Sequence, residues 1–169
     1  MLLLLLGCLD HTPIPGAEGA FVAMQADFVG YSTWDSVGVD AAAADDTGHP
    51  EGERTVYVNT MPAAEDTSFP IGTIVVKVIP GADIHAMVKR GDGFNADGAP
   101  GWEWFELVTA TNGEPVIKWR GEEPPAGETY GALPGATEDT GGSMTGDCNT
   151  CHAAAAENDF VHAVPLGAE

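Results

Sequence analysis

The stretch GTIVVKVI (72–79) is a run of mostly β-branched residues, entered through Gly72 and left at Pro80-Gly81. A short apolar run bounded by turn residues reads as a strand with both faces suited to a core. Its faces are Thr73/Val75/Lys77/Ile79 and Ile74/Val76/Val78, so Lys77 is the one charge in the segment. Comparable runs flank it: RTVYVN (54–59), IHAMVKR (84–90), WEWFELVT (102–109) and EPVIKWR (114–120). The turns between them are short, as at Pro80-Gly81 and Thr111-Asn112-Gly113-Glu114. Strands joined by tight turns pair antiparallel. Upstream, FVAMQADFVGYSTWDSVGV (21–39) places Phe21, Phe28, Tyr31, Trp34 and Val37 at roughly helical intervals and predicts one or two short helices. Residues 41–53 read as an acidic loop and 121–147 as an irregular Pro/Gly/Glu-rich segment. The expected fold class is α+β, an antiparallel meander of about five strands with a few short helices.

Composition limits the function. The chain has 169 residues, 44% of them hydrophobic, which is one domain with a core of ordinary size. Its net charge is −20, and all six basic residues (Arg54, Lys77, Lys89, Arg90, Lys118, Arg120) fall between positions 54 and 120. So little positive charge excludes a nucleic-acid backbone as partner. The acidity has two readings: a solvated exterior, or a face that steers a basic redox partner.

The N-terminus, MLLLLLGCLD (1–10), is too short to span a bilayer, which takes about 20 residues. Leu5-Leu6-Gly7-Cys8 is similar to the cleavage box of a bacterial lipoprotein, in which the Cys becomes lipidated. No Lys or Arg precedes the run, and it is shorter than an ordinary signal core of about 7–15 residues. Residues 1–7 are therefore read as a signal remnant, 8–24 as a linker and 25–169 as the functional domain. On this reading the chain is exported to the periplasmic side of a membrane and tethered through Cys8; the other reading is an unlipidated apolar N-terminus.

The remaining cysteines stand in Asp147-Cys148-Asn149-Thr150-Cys151-His152. Cys-x-x-Cys-His is the attachment motif of haem c: two thiols add across the haem vinyl groups and the adjacent His reaches the iron. Structural zinc needs four ligands, and no second Cys or His pair lies at a matching interval. A redox dithiol belongs at the start of a helix in a βαβ unit, and none is predicted upstream. The motif is expected to open a C-terminal helix running through Ala153–Ala156 and beyond Glu157.

Lys77 admits two readings. A desolvated ammonium loses its proton readily, and the neutral amine is a nucleophile. Alternatively, its stem snorkels to the sheet edge or its charge meets a carboxylate.

In order along the chain, RTVYVN (54–59), FPIGTIVVK (69–77), AMVK (86–89), GWEWF (101–105), CNTCH (148–152) and NDFV (158–161) together resemble the cytochrome P-460 family, which includes cytochrome c′-beta. The resemblance spans roughly residues 25–165. It implies a β-rich, often dimeric domain with one haem c, a proximal His and an open distal position. It further implies that Lys77 matches the lysine cross-linked to a haem meso carbon, and that Arg54 matches a distal-pocket cation. Cross-linked members oxidise hydroxylamine and pass electrons to a soluble cytochrome; members without the link bind nitric oxide and other small gases. His85 stands where the P-460 enzymes carry a distal carboxylate. A His works as a base only near its own pKa of roughly 6.5. It is read as a base, a sixth ligand or a half-exposed strand residue. Simple electron transfer, with a sixth protein ligand, is the remaining alternative.

Weaker signals complete the reading. Asp92 to Gly98 has the look of a calcium loop, but its offsets fit a hairpin turn better. Trp102, Trp104 and Trp119 are haem-edge or core residues, and Met61 and Met87 are minor axial-ligand candidates. His11, His49 and His162 read as loop residues.

Overall fold

A computed structural model describes residues 19–40, 52–81, 84–125 and 148–166. The readings made for Cys8 and the signal remnant, for His11 and His49, and for the body of the 41–53 and 121–147 segments lie outside the described residues.

Six strands form one antiparallel sheet in the order of the chain: β1 Asp35–Val39, β2 Arg54–Val58, β3 Ile74–Val78, β4 Ile84–Lys89, β5 Trp102–Thr109 and β6 Pro115–Gly121. The meander is as expected, with one strand more than the predicted five. The extra strand is β1, in a stretch read as helical. Asp35, Val37 and Val39 alternate with Ser36 and Gly38, and that period of two pairs Val37 with Val56 and Val39 with Arg54. The helical spacing ahead of it is real but tighter: Phe28, Tyr31 and Trp34 lie three apart, and the chain forms two 3-10 turns, Gln25–Phe28 and Tyr31–Thr33.

The pleat divides the core. On one face Phe28, Ile74, Val76, Val88, Phe105 and Leu107 pack together. Phe28 seats its ring 5.1 Å from Phe105, and Tyr31 meets Tyr57 edge-on at 5.4 Å. The end of the predicted linker belongs to this layer: Ala23 is fully buried, Phe21 N donates to Arg90 O, and Arg120 donates to the Ala23 carbonyl. Beneath it lies Glu103, whose carboxylate accepts a bidentate pair from Arg120, both bonds 2.7 Å, and a third bond from Arg90. Two strand cations thus meet one buried carboxylate, and the buried charge is compensated.

On the opposite face Val56, Val58, Val75, Met87, Trp102 and Trp104 pack against the C-terminal segment through Cys148, Val161 and Val164. That segment is a one-turn helix, α1 Cys148–His152, followed by a 3-10 stretch Ala153–Asn158. The expected longer helix stops because Ala155 departs from helical geometry and Asp159 turns left-handed. A register shift at Glu106/Leu107 bulges β6 at Lys118. Glu106 then accepts bonds from both Lys118 Nζ and Trp119 Nε1. Among the described residues no helix is long and apolar enough to cross a membrane.

Candidate functional site: a cavity between the sheet and the Cys-x-x-Cys-His turn

One helical turn is enough to bring Cys148, Cys151 and His152 to neighbouring positions, since residues three and four apart share a helix face. Cys148 is buried and Cys151 partly so. The turn is fastened to the sheet through Asn149, a residue inside the motif. Its Oδ1 accepts from Asn95 Nδ2 (2.7 Å) and Trp104 Nε1 (2.9 Å), and its Nδ2 donates to the Glu122 carbonyl. Asn95 sits left-handed in the 92–98 loop, with φ 54°, which makes that loop a structural clasp for α1. Gly98 completes the clasp: a Cβ there would fall on the Asn149 amide.

His152 lies under Trp104, with ring centroids 4.6 Å apart, and beside His162 at 5.1 Å. Its Nδ1 is 2.6 Å from the Phe160 carbonyl oxygen. A carbonyl only accepts, so Nδ1 carries the hydrogen and Nε2 keeps its lone pair. Burial pushes the imidazole pKa down to about 4, with the Phe160 bond acting in the opposite direction. A neutral imidazole with a fixed tautomer is the form that ligates a metal.

Between this turn and strands β1–β4 lies a cavity of about 530 Å³, inside the ~300–1,000 Å³ range of cofactor sites. Val56, Val75 and Met87 line its sheet side and Val37 and Val39 its β1 side, while His152, Val161 and His162 line it from the C-terminal segment. Two basic residues, Arg54 and Lys77, and one acidic residue, Asp40, join this mainly apolar lining. Lys77 is held well below the ordinary lysine range, first by burial and then by the Arg54 guanidinium, while the Cys148 and Cys151 thiols favour its charged form.

The structure thus brings together Arg54, Lys77 and His152, with Cys148 and Cys151 behind them. His85 is directly opposite Lys77 in the β3–β4 register but is not among the cavity's lining residues. Burial, with Lys77 and Lys118 nearby, lowers its pKa to about 2. It is a half-buried strand residue whose surroundings favour the neutral imidazole. Met87 lines the cavity, whereas Met61 is 39% exposed. Sequence reasoning missed His162 and Phe160 at the site, and left Trp104 undecided between haem edge and core. Trp104 was reachable by strand alternation, being two residues from Trp102 on the same face.

These features fit haem c. The two cysteines and the His share one turn, the His carries its lone pair on Nε2, and the cavity beside it is large and mainly apolar. Among the described residues no group of three or more His, Cys, Asp or Glu side chains is arranged to hold a bare metal ion. No protein-family model, curated protein or solved structure matches the chain.

Proposed function

We propose that the chain is an exported monohaem c-type cytochrome of the P-460 kind that oxidises hydroxylamine, with haem c bonded to Cys148 and Cys151, ligated by His152 and cross-linked to Lys77. The observation that carries this reading is that His152 and Lys77, from elements 75 residues apart in sequence, line the same cavity. When bound, haem supplies one-electron redox chemistry and an open coordination position.

The residues then have definite work. His152 offers Nε2 to the iron. The valines and Met87 keep water from the pocket, which strengthens every polar contact inside it. Arg54 supplies hydrogen-bond donors to the oxygen of a small nitrogenous ligand. Burial holds the Lys77 amine well below the ordinary lysine range, which makes its lone pair easier to expose; a link from Nζ to a haem carbon would replace one N–H and one C–H, with two protons and two electrons passing to a peroxide-type oxidant. Oxidation of hydroxylamine to a neutral nitrogen oxide releases protons and electrons in equal number. The electrons leave to a soluble partner, and the net charge of −20 favours a basic cytochrome. Attachment of haem c outside the cytoplasm agrees with export to the periplasmic side and a lipid at Cys8, and a homodimer is the expected assembly.

One observation favours a second reading. His85 stays neutral down to about pH 2 and therefore accepts protons poorly, which suits capture of nitric oxide or another small gas better than proton-coupled oxidation. Turnover decides between them. Hydroxylamine oxidation by the haem-loaded protein, lost in Lys77→Ala with haem retained, supports the first reading. Nitric oxide binding without turnover in either protein supports the second.

A further inference from the structure

The turn after the haem-attachment motif runs against local backbone preference. Asp159 (φ 50°) and Phe160 (φ 66°) are both left-handed, and neither is glycine. Two successive non-glycine residues in that region, one of them aromatic, persist only where the surroundings hold them. Here the surroundings are specific. The Asp159 carboxylate accepts from Lys89 Nζ (2.7 Å) and from Phe69 N (2.8 Å). Its carbonyl accepts from Trp102 Nε1 at 2.7 Å. Lys89 is itself fixed, donating to the Pro100 carbonyl and lying 5.0 Å over the Trp102 ring. Both side chains of the pair are only 11% exposed. The residue after this clamp, Phe160, donates its N–H to Ala155 O and offers its carbonyl to His152 Nδ1.

We infer that Asp159 is a positioning residue for His152: the Lys89–Asp159 pair holds the left-handed turn in the shape that keeps the Phe160 carbonyl on Nδ1 and so places the ring's lone pair on Nε2. The hydrogen bond at the far nitrogen of a ligating His raises its basicity and fixes its ring plane. A lysine on the sheet, 63 residues before His152 in sequence, therefore governs, through Asp159, the donor strength of the proximal ligand. The consequence at iron rests on the haem reading; the effect on the imidazole itself does not.

The test compares the full-length protein with Asp159→Ala, Asp159→Asn and Lys89→Met, using Phe28→Leu as a destabilised control on the opposite face of the sheet. Two signatures are read: the His152 tautomer from ring ¹⁵N–¹H spectra, and the iron–histidine stretch of the ferrous, haem-loaded protein by resonance Raman. Wild type and Phe28→Leu show one Nδ1–H tautomer and one stretching band. Asp159→Ala and Lys89→Met show a mixture with the Nε2–H form, a stretch at lower frequency and a raised midpoint potential; Asp159→Asn, which keeps an acceptor, falls between. If Asp159→Ala does not fold, the other two variants decide. Folded variants with an unchanged tautomer and stretch overturn the inference. Failure of the wild type to take up covalent haem overturns the haem reading instead, and the tautomer spectra still decide this one.

Discussion

Lys77 on β3 and His85 on β4 stand directly opposite one another and share one face of the sheet, so a charge on the lysine would work against a charge on the imidazole. Both lie in surroundings that disfavour charge, with burial the largest cause in each case.

An acid-sensitivity prediction follows from His85. Its folded pKa of about 2 lies below the ordinary 6.5, so between those values the unfolded chain binds a proton that the folded chain does not. Stability therefore falls as pH drops below about 6.5, by up to about 1.4 kcal/mol per pH unit for a fully shifted group. Some of that is lost because His85 is half-buried. His152, with a folded pKa of about 4, adds a second contribution of the same sign in the haem-free chain. Urea midpoints near pH 7 and pH 5 should differ in the haem-free wild type and differ by less in His85→Gln.

Lys77 should be the most reactive lysine of the haem-free chain. Cyanate attacks only neutral amines, and the other described lysines are occupied in ion pairs, Lys89 with Asp159 and Lys118 with Glu106. Peptide mass mapping after brief cyanate treatment near neutral pH should show carbamylation first at Lys77. Uniform labelling of all three lysines would mean that the amine is not held neutral.

Glu103 holds the N-terminal layer to the sheet. Glu103→Gln leaves two guanidiniums facing a neutral amide, and the folded state should lose about 3 kcal/mol. That is the low end for removing one partner of a buried pair, because the arginines remain 28–30% exposed. Chemical denaturation measures it, with no change expected in the iron–histidine stretch.

Gly98 gives the loop prediction. Gly98→Ala displaces the Asn149 amide and with it the clasp on α1. The Cys-x-x-Cys-His turn should loosen, and on the proposed haem reading the fraction of chain carrying covalent haem after maturation should fall severalfold, while Gly93→Ala, whose Cβ meets open space, should cost less.

The sheet was legible because strands β2–β6 carry either continuous β-branched runs or clean alternation. β1 was not, because five residues that include Gly38 sit at the sheet's edge, largely exposed, and carry too little apolar pattern to outweigh the aromatics before them. The spacing of Phe28, Tyr31 and Trp34 gave the right class of local structure and the wrong extent, since a three-residue repeat belongs to 3-10 turns. At the site, Cys148, Cys151 and His152 were readable from their spacing, and Lys77 from its isolation in an apolar strand. Phe160 and His162 were not, because their roles come from chain returning across the sheet. A backbone carbonyl that orients a histidine leaves no mark in composition or periodicity.

The central claim is that Cys148 and Cys151 hold haem covalently beside Lys77. The most direct test is the intact mass of the chain produced with c-type maturation, measured after denaturation and acid extraction of free haem. A mass increased by one haem, reduced to the bare chain in the Cys148→Ser/Cys151→Ser double variant, is the expected result. A folded wild-type chain at its haem-free mass, or a haem that is extracted by acid, would contradict the account.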